Sequence, residues 1–240
     1  MSKMLKVVIG LVILGAVIGG GFYWYATRPT KAPSEIVTPN QPTTPDTQQP
    51  TETPDAMASS TTAGVYQIDS SKSTATFTLG EMLRGSPKVV VGTTDQVSGS
   101  LNVDRNNLAA ATASAIRINA RTFKTDDENR NRAIQRLILK TEDDANEYIV
   151  WTPTGVMDMP AKIGLNESFS FTMVGTLTIA GVTHEETFGG TARFTSENVL
   201  VGSAEAIVNR ADYNLVIPSI PFVADVDEQV KLKIELTANR

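Results

Sequence analysis

The chain has 240 residues, 41% apolar and 20% charged, with no Cys, one His and a net charge of -5. These counts exclude a disulfide framework, cysteine-based zinc sites, thiol nucleophiles and any metal site that needs two His ligands. They also speak against nucleic-acid binding, because proteins that neutralise phosphates are basic overall or carry a dense basic face.

From Val7 to Ala26 the run VVIGLVILGAVIGGGFYWYA carries no charge and follows Lys3 and Lys6. At about 1.5 Å per residue a helix of this length spans roughly 30 Å, the thickness of the hydrocarbon core of a bilayer. Residues 1–26 are therefore predicted to form a cytoplasmic tip and a transmembrane signal-anchor helix. Phe22, Tyr23, Trp24 and Tyr25 close the run with rings that suit the headgroup layer. A cleaved signal peptide is the alternative, but TRPTKAP offers no A-x-A pattern, and a lipoprotein anchor would need a Cys. Basic residues flank both ends, and the amino terminus adds one charge to the short side, which favours a cytoplasmic N-terminus and an extracytoplasmic body.

Residues 27–63 hold seven of the twelve prolines and ten threonines, with hardly a large apolar side chain. Such a segment buries too little surface to offset its ordering entropy, so a disordered linker is predicted. Fully extended, at about 3.1 Å per residue, it would hold a domain up to roughly 100 Å from the membrane. Its Thr/Pro content also suits O-glycosylation.

Residues 64–240 are long enough for one domain with a sizeable core. Their dominant signal is period two. In SFSFTMVGTLTI at 168–179, Phe169, Phe171, Met173, Leu177 and Ile179 share a face, with Ser and Thr mainly on the other. The same alternation sets Ala75, Phe77 and Leu79 against Thr74, Thr76 and Thr78, and Val97, Leu101 and Val103 against Ser98, Ser100 and Asn102. It returns as Val230, Leu232, Ile234 and Leu236 against Lys231, Lys233 and Glu235. Each is a strand with one apolar and one wet face. Further strands are expected near 65–69, 111–119, 147–152, 187–194 and 199–208. So many strands must stack as a sandwich or close into a barrel to hide their apolar faces and edges.

TDDENRNRAIQRLILK at 125–140 breaks the pattern. Thr125 and Glu128 have capping-box spacing, Asp126 and Asp127 place negative charge in the first turn, and Ala133, Ile134, Leu137 and Ile138 recur at helical spacing. One amphipathic helix is predicted, its apolar stripe covering an opening or side of the sheet.

The stretches YQID at 66–69, the S-x-x-x-F of Ser73 to Phe77, VSGSLNVD at 97–104 and RNRAIQRLIL at 130–139 carry a resemblance. So do EYIVWTPTG at 147–155, GTLTIAGVTHEETF at 175–188 and NRADYNLVIP at 209–218 followed by DEQVKLKIELTA. In this order, over Val65 to Ala238, the chain resembles the YceI-like family. The resemblance implies an all-β fold, a lipocalin-like antiparallel barrel with one helix, and export to the bacterial cell envelope. It also implies a partner of isoprenoid-lipid or quinone-like character, since the family includes polyisoprenoid-binding proteins. Two departures stand out: Thr94 and Val97 lie where bulky rings are common, and Asn131 follows Arg130 where an acid is common.

A small barrel either fills its lumen with side chains or leaves room for one apolar ligand. Inward-facing Phe77, Leu101, Ile116, Ile118, Leu137, Trp151, Phe169 and Phe171 would make the lumen hydrophobic. An isoprenoid chain would then gain about 0.8 kcal/mol per buried CH₂ before ordering costs. The same residues simply packed together, in a structural or interaction domain, are the alternative. Arg130 or Arg136 would meet an anionic headgroup at the barrel mouth, unless they belong to an ordinary solvated helix face.

No catalytic residue is expected. His184 reads as an exposed turn residue between strands, and His-Glu-Glu-Thr lacks the second His of the zincin helix. Asp225, Asp227 and Glu228 lack the glycine and spacing of a calcium loop, so no metal site is assigned. Arg210 and Asp212 are close enough for a local ion pair. No cofactor motif is present. An enzyme acting on a small envelope metabolite is the remaining alternative.

Overall fold

A computed structural model describes residues 28–34, 63–219 and 222–240. The run at 7–26 and most of the linker lie outside these residues. Among the described residues no helix is long and apolar enough to cross a membrane.

The predicted alternation becomes one strongly curled antiparallel sheet. In chain order its strands are β1 (Ala63–Ile68), β2 (Thr74–Leu83), β3 (Ser86–Thr94), β4 (Val97–Ser98), β5 (Ser100–Asp104), β6 (Thr112–Ala113) and β7 (Ile116–Asn119). They continue with β8 (Tyr148–Met157), β9 (Ser168–Ile179), β10 (Val182–Ser196), β11 (Val199–Asn209), β12 (Val223–Ala224) and β13 (Gln229–Asn239). The run 168–179 is β9 throughout.

Hydrogen bonding runs β4-β7-β8-β9-β10-β11-β13-β1-β5-β6. Only Gly99 separates β4, at one end of the path, from β5, next to its other end, so the chain itself draws the two ends together and the sheet wraps round on itself. The bend needs that glycine: its φ is +150°, and a Cβ there would lie 3.3 Å from the Ala115 carbonyl and the Ile116 Cα. Strand β13 carries a second layer of pairing. Its Lys231–Glu235 half bonds to β2, which continues into the hairpin partner β3, while its last residues bond to β1.

The β2–β3 and β9–β10 hairpins close through two residues each, Arg84–Gly85 and Ala180–Gly181, all four with positive φ. Two-residue loops of this kind match the twist of the strands they join.

Antiparallel registers place the hairpin tips 84–85 and 180–181, the segment 120–147 and the loop 210–228 at one end of the barrel. The helix of this end is shorter than the sequence suggests. Regular α-helix α1 spans Glu128–Ala133 and widens into a π turn over Ile134–Ile138. Its cap also differs from the expected Thr125–Glu128 box. Asp127 Oδ1 accepts from the Arg130 amide at 2.8 Å, and Thr125 instead donates through its hydroxyl and amide to Asn131 Oδ1, both at 2.7 Å. A carboxylate at Asp127 both accepts from a free first-turn amide and complements the helix dipole, so it takes the capping position.

At the opposite end Tyr66, Phe169 and Phe194 pack ring to ring, Phe194 lying 5.6 Å from Tyr66 and 6.4 Å from Phe169 between centroids. With Leu108, Leu200 and Ala238 they form a buried floor. Between strands β10 and β11 pairing extends only to Gly189 and Glu205. Nearer the helix end buried Tyr213 packs into the core and donates to Glu186 Oε1 at 2.8 Å. Burial, helped by that carboxylate, pushes the Tyr213 hydroxyl far above the ordinary tyrosine range.

Candidate functional site: two apolar cavities in series

Two cavities occupy the barrel. The inner one, of about 150 Å³, is walled by residues of β2 and of strands from β5 to β13 and has almost no polar surface. A dry cavity of this size holds roughly one benzene-sized group. The outer one, of about 850 Å³, lies under the helix and between β2 and the 210–228 loop. It falls within the range of roughly 300–1,000 Å³ that is usual for small-molecule sites. Phe123, Ile149, Ile179 and Leu232 line both, so the two spaces share a wall.

The eight apolar residues singled out from sequence divide between them. Leu101, Ile116, Ile118, Trp151, Phe169 and Phe171 line the inner cavity, while Phe77 and Leu137 line the outer one. Trp151 stands edge-on to Phe188 at 4.6 Å, and Phe77 edge-on to Phe123 at 5.3 Å. Two glycines give these rings their room. A Cβ at Gly92 would lie 2.2 Å from the Phe77 ring, and one at Gly190 would lie 2.5 Å from that of Phe171.

Periodicity alone misses several walls. Phe123 sits in an irregular turn before the helix, and Leu215, Ile217 and Phe222 belong to a loop. Val97, one of the two departures from the resembled family's bulky rings, is fully buried in the core.

The two arginines part company. Arg130 lines the outer cavity, with its guanidinium bonded to Glu81 at 2.7 Å and to Asp126. Asp126 also accepts from Lys88 at 2.6 Å, and that bond, with the charges of Lys88 and Arg130, holds its carboxyl below the usual range. Arg136 lines neither cavity. Its side chain is buried, paired with Glu142 at 3.0 Å and bonded to the carbonyls of Arg28 and Pro29.

These carbonyls belong to residues 28–34, which the sequence places in the linker and the structure lays against the barrel. Arg28 pairs with Glu142, Lys31 with Asp144, and Ser34 donates to Glu147 through its amide at 2.6 Å and its hydroxyl at 2.8 Å. Burial raises the Glu147 carboxyl, but the Ser34 bonds, the Arg121 charge and Asn119 outweigh it and hold the group below the usual range.

Other polar candidates have structural places. His184 lies within β10, exposed, and meets the Tyr213 ring edge-on at 5.2 Å rather than standing in a turn. Asp227 exchanges bonds with Gly80, amide to carboxylate at 2.8 Å and amide to carbonyl at 2.9 Å. Arg210 donates to the carbonyls of Asp227 and Leu215, at 3.0 and 3.3 Å, rather than forming the local pair expected with Asp212. Among the described residues no cluster of His, Asp and Glu is arranged to hold a metal ion.

Residues 66–238 match the family model of the YceI-like domain. The chain belongs to the YceI-like family. The YceI-like domain also matches solved structures in fold, among them the following. One is BcnA of Burkholderia cenocepacia, at 18% identity and a TM-score of 0.56, covering 72% of this chain and 99% of that one. Another is a polyisoprenoid binding domain from Saccharophagus degradans, at 14% identity and a TM-score of 0.57, covering 72% and 97%. No curated protein sequence matches the chain.

Proposed function

We propose that this protein is a membrane-tethered, extracytoplasmic carrier that holds an isoprenoid or quinone-like lipid in its barrel and performs no chemistry on it. One observation carries the reading: the lumen is hollow, and the hollow is apolar along its whole inner length. An extended, methyl-branched hydrocarbon chain suits two cavities in series better than a compact ligand does. The inner cavity accepts about one isoprene-sized group at its end, and the outer one has room for the rest of the chain. The Saccharophagus degradans relative, a polyisoprenoid binding domain, supports the ligand class. The uncharged run at 7–26 supports the tether.

The test is native mass spectrometry, with solvent extraction, of the chain from residue 28 onward, purified from a bacterial host. A stoichiometric isoprenoid or quinone is expected. An empty protein that also fails to take up quinones and polyprenyl phosphates would overturn the reading in favour of an interaction domain. Turnover of a metabolite, lost on one polar substitution with lipid content unchanged, would overturn it in favour of an enzyme.

A further inference from the structure

We infer that residues 28–34 are a strap that seats the helix-bearing end of the barrel on the surface of the bilayer, so that the outer cavity opens towards lipid. The inference rests on reading 7–26 as a membrane span. Its first support is the contact set itself. Within seven residues the strap makes ion pairs to Glu142 and Asp144 and gives two bonds to Glu147, while its carbonyls at Arg28, Pro29 and Ala32 accept from Arg136 and Arg121.

The second support is chain length. Arg28 lies two residues beyond Ala26, where the uncharged run ends, and two extended residues reach only about 7 Å. A strap held at Arg28 therefore leaves no slack between the membrane and this end of the barrel.

The third is which end is held. Arg136, which grips the strap, belongs to the π turn whose Ile134, Leu137 and Ile138 line the outer cavity. The rim there is built for an interface. Phe222 lines the cavity yet is 72% exposed, with the Arg84 guanidinium 5.8 Å from its ring centre, and Val216 in the same loop is also 72% exposed. An aromatic ring beside a guanidinium suits the headgroup layer.

Ser34 sits at the helix end, whereas Ala63 pairs with Asp104 at the opposite end.

The test uses the full chain in vesicles of phosphatidylcholine and phosphatidylglycerol that carry a headgroup-attached quencher. The chain has no Cys, so a single fluorophore can be placed by Val216→Cys at the rim or by Asn198→Cys at the far end. Expected are strong quenching from 216, little from 198, and loss of that difference in two strap-breaking variants. One changes the strap (Arg28→Gln, Lys31→Gln, Ser34→Ala), the other its receptor (Glu142→Gln, Asp144→Asn). Equal quenching at both ends of the parent chain overturns the strap, as does a difference that survives both variants. A chain that does not float with the vesicles overturns the span and the strap together. Absence of bound lipid with the quenching pattern intact overturns only the carrier reading.

Discussion

Arg121 Nη1 and Glu147 Oε2 meet at 2.7 Å with only 2% and 4% of their side chains exposed. Glu147 also accepts from Asn119 Nδ2 at 3.1 Å, and Arg121 Nε donates to the Thr141 carbonyl at 2.7 Å. A buried pair of this kind is costly to break from one side, because the surviving charge has no water to turn to. Arg121→Met is expected to lower stability by about 3–5 kcal/mol, measured by urea unfolding. Adding Glu147→Leu should recover much of that loss, and a single variant as stable as the parent would refute the assignment.

Acid should release the strap. Hydrogen bonds from Lys31 and Arg121 hold the Asp144 carboxyl below its ordinary value, and Glu147 is held down as described. When a carboxyl is depressed in the bound state, the released chain takes up protons first as pH falls. The stabilisation is therefore complete above the ordinary carboxylate values near ~4 and disappears as pH drops through the lowered ones. Hydrogen exchange at the Ser34 amide, corrected for its intrinsic pH dependence, should show protection at neutral pH that is lost in acid. Protection that persists unchanged in acid would count against the strap.

Tyr213 gives the opposite sign. Its hydroxyl is raised by burial and by Glu186, so its contribution is intact below the ordinary tyrosine value near ~10 and is lost as pH rises beyond it. A spectrophotometric difference titration between the parent chain and Tyr213→Phe should find this phenol still protonated well above the ordinary tyrosine value near ~10. Tyr213→Phe should cost about 1.5–3 kcal/mol, the range for a hydrogen bond to a charged group, and a neutral effect would mean that the bond to Glu186 adds nothing.

Filling the lumen should separate lipid content from folding. Ala204 is 6% exposed and lines the inner cavity, so Ala204→Phe projects a ring into empty space. Overpacking penalties run to about 1–3 kcal/mol, and the barrel should tolerate that. The extracted lipid per protein chain should fall sharply while the far-UV spectrum is unchanged. Undiminished lipid content would place the ligand elsewhere.

The strands were legible because burying one face forces period two, and β9, β13 and the first half of β2 followed their patterns. Strand β3 was hidden. Val89, Val90 and Val91 are consecutive and identical, yet only Val90 is buried at 3%, with Val89 at 65% and Val91 at 45%, so composition masks the alternation. The cavity residues on strands were also legible, since lining and packing demand the same inward face. Whether that face leaves a void depends on summed side-chain volumes round a closed ring, which no local window contains. The strap was invisible for a related reason: Arg28 and Glu142, or Ser34 and Glu147, stand more than a hundred positions apart. Nothing in a Pro/Thr-rich composition marks which few of its residues will find partners.

Phe123, Ile149, Ile179 and Leu232 line both cavities, and for a lipid guest of the kind proposed they would make the barrel a ruler. A short tail stops in front of these four side chains and leaves them undisturbed. A longer one must turn them aside to gain the last compartment, trading their packing against its own burial. Discrimination among guests by the number of repeat units then falls to one ring and three aliphatic groups, with no polar contact required.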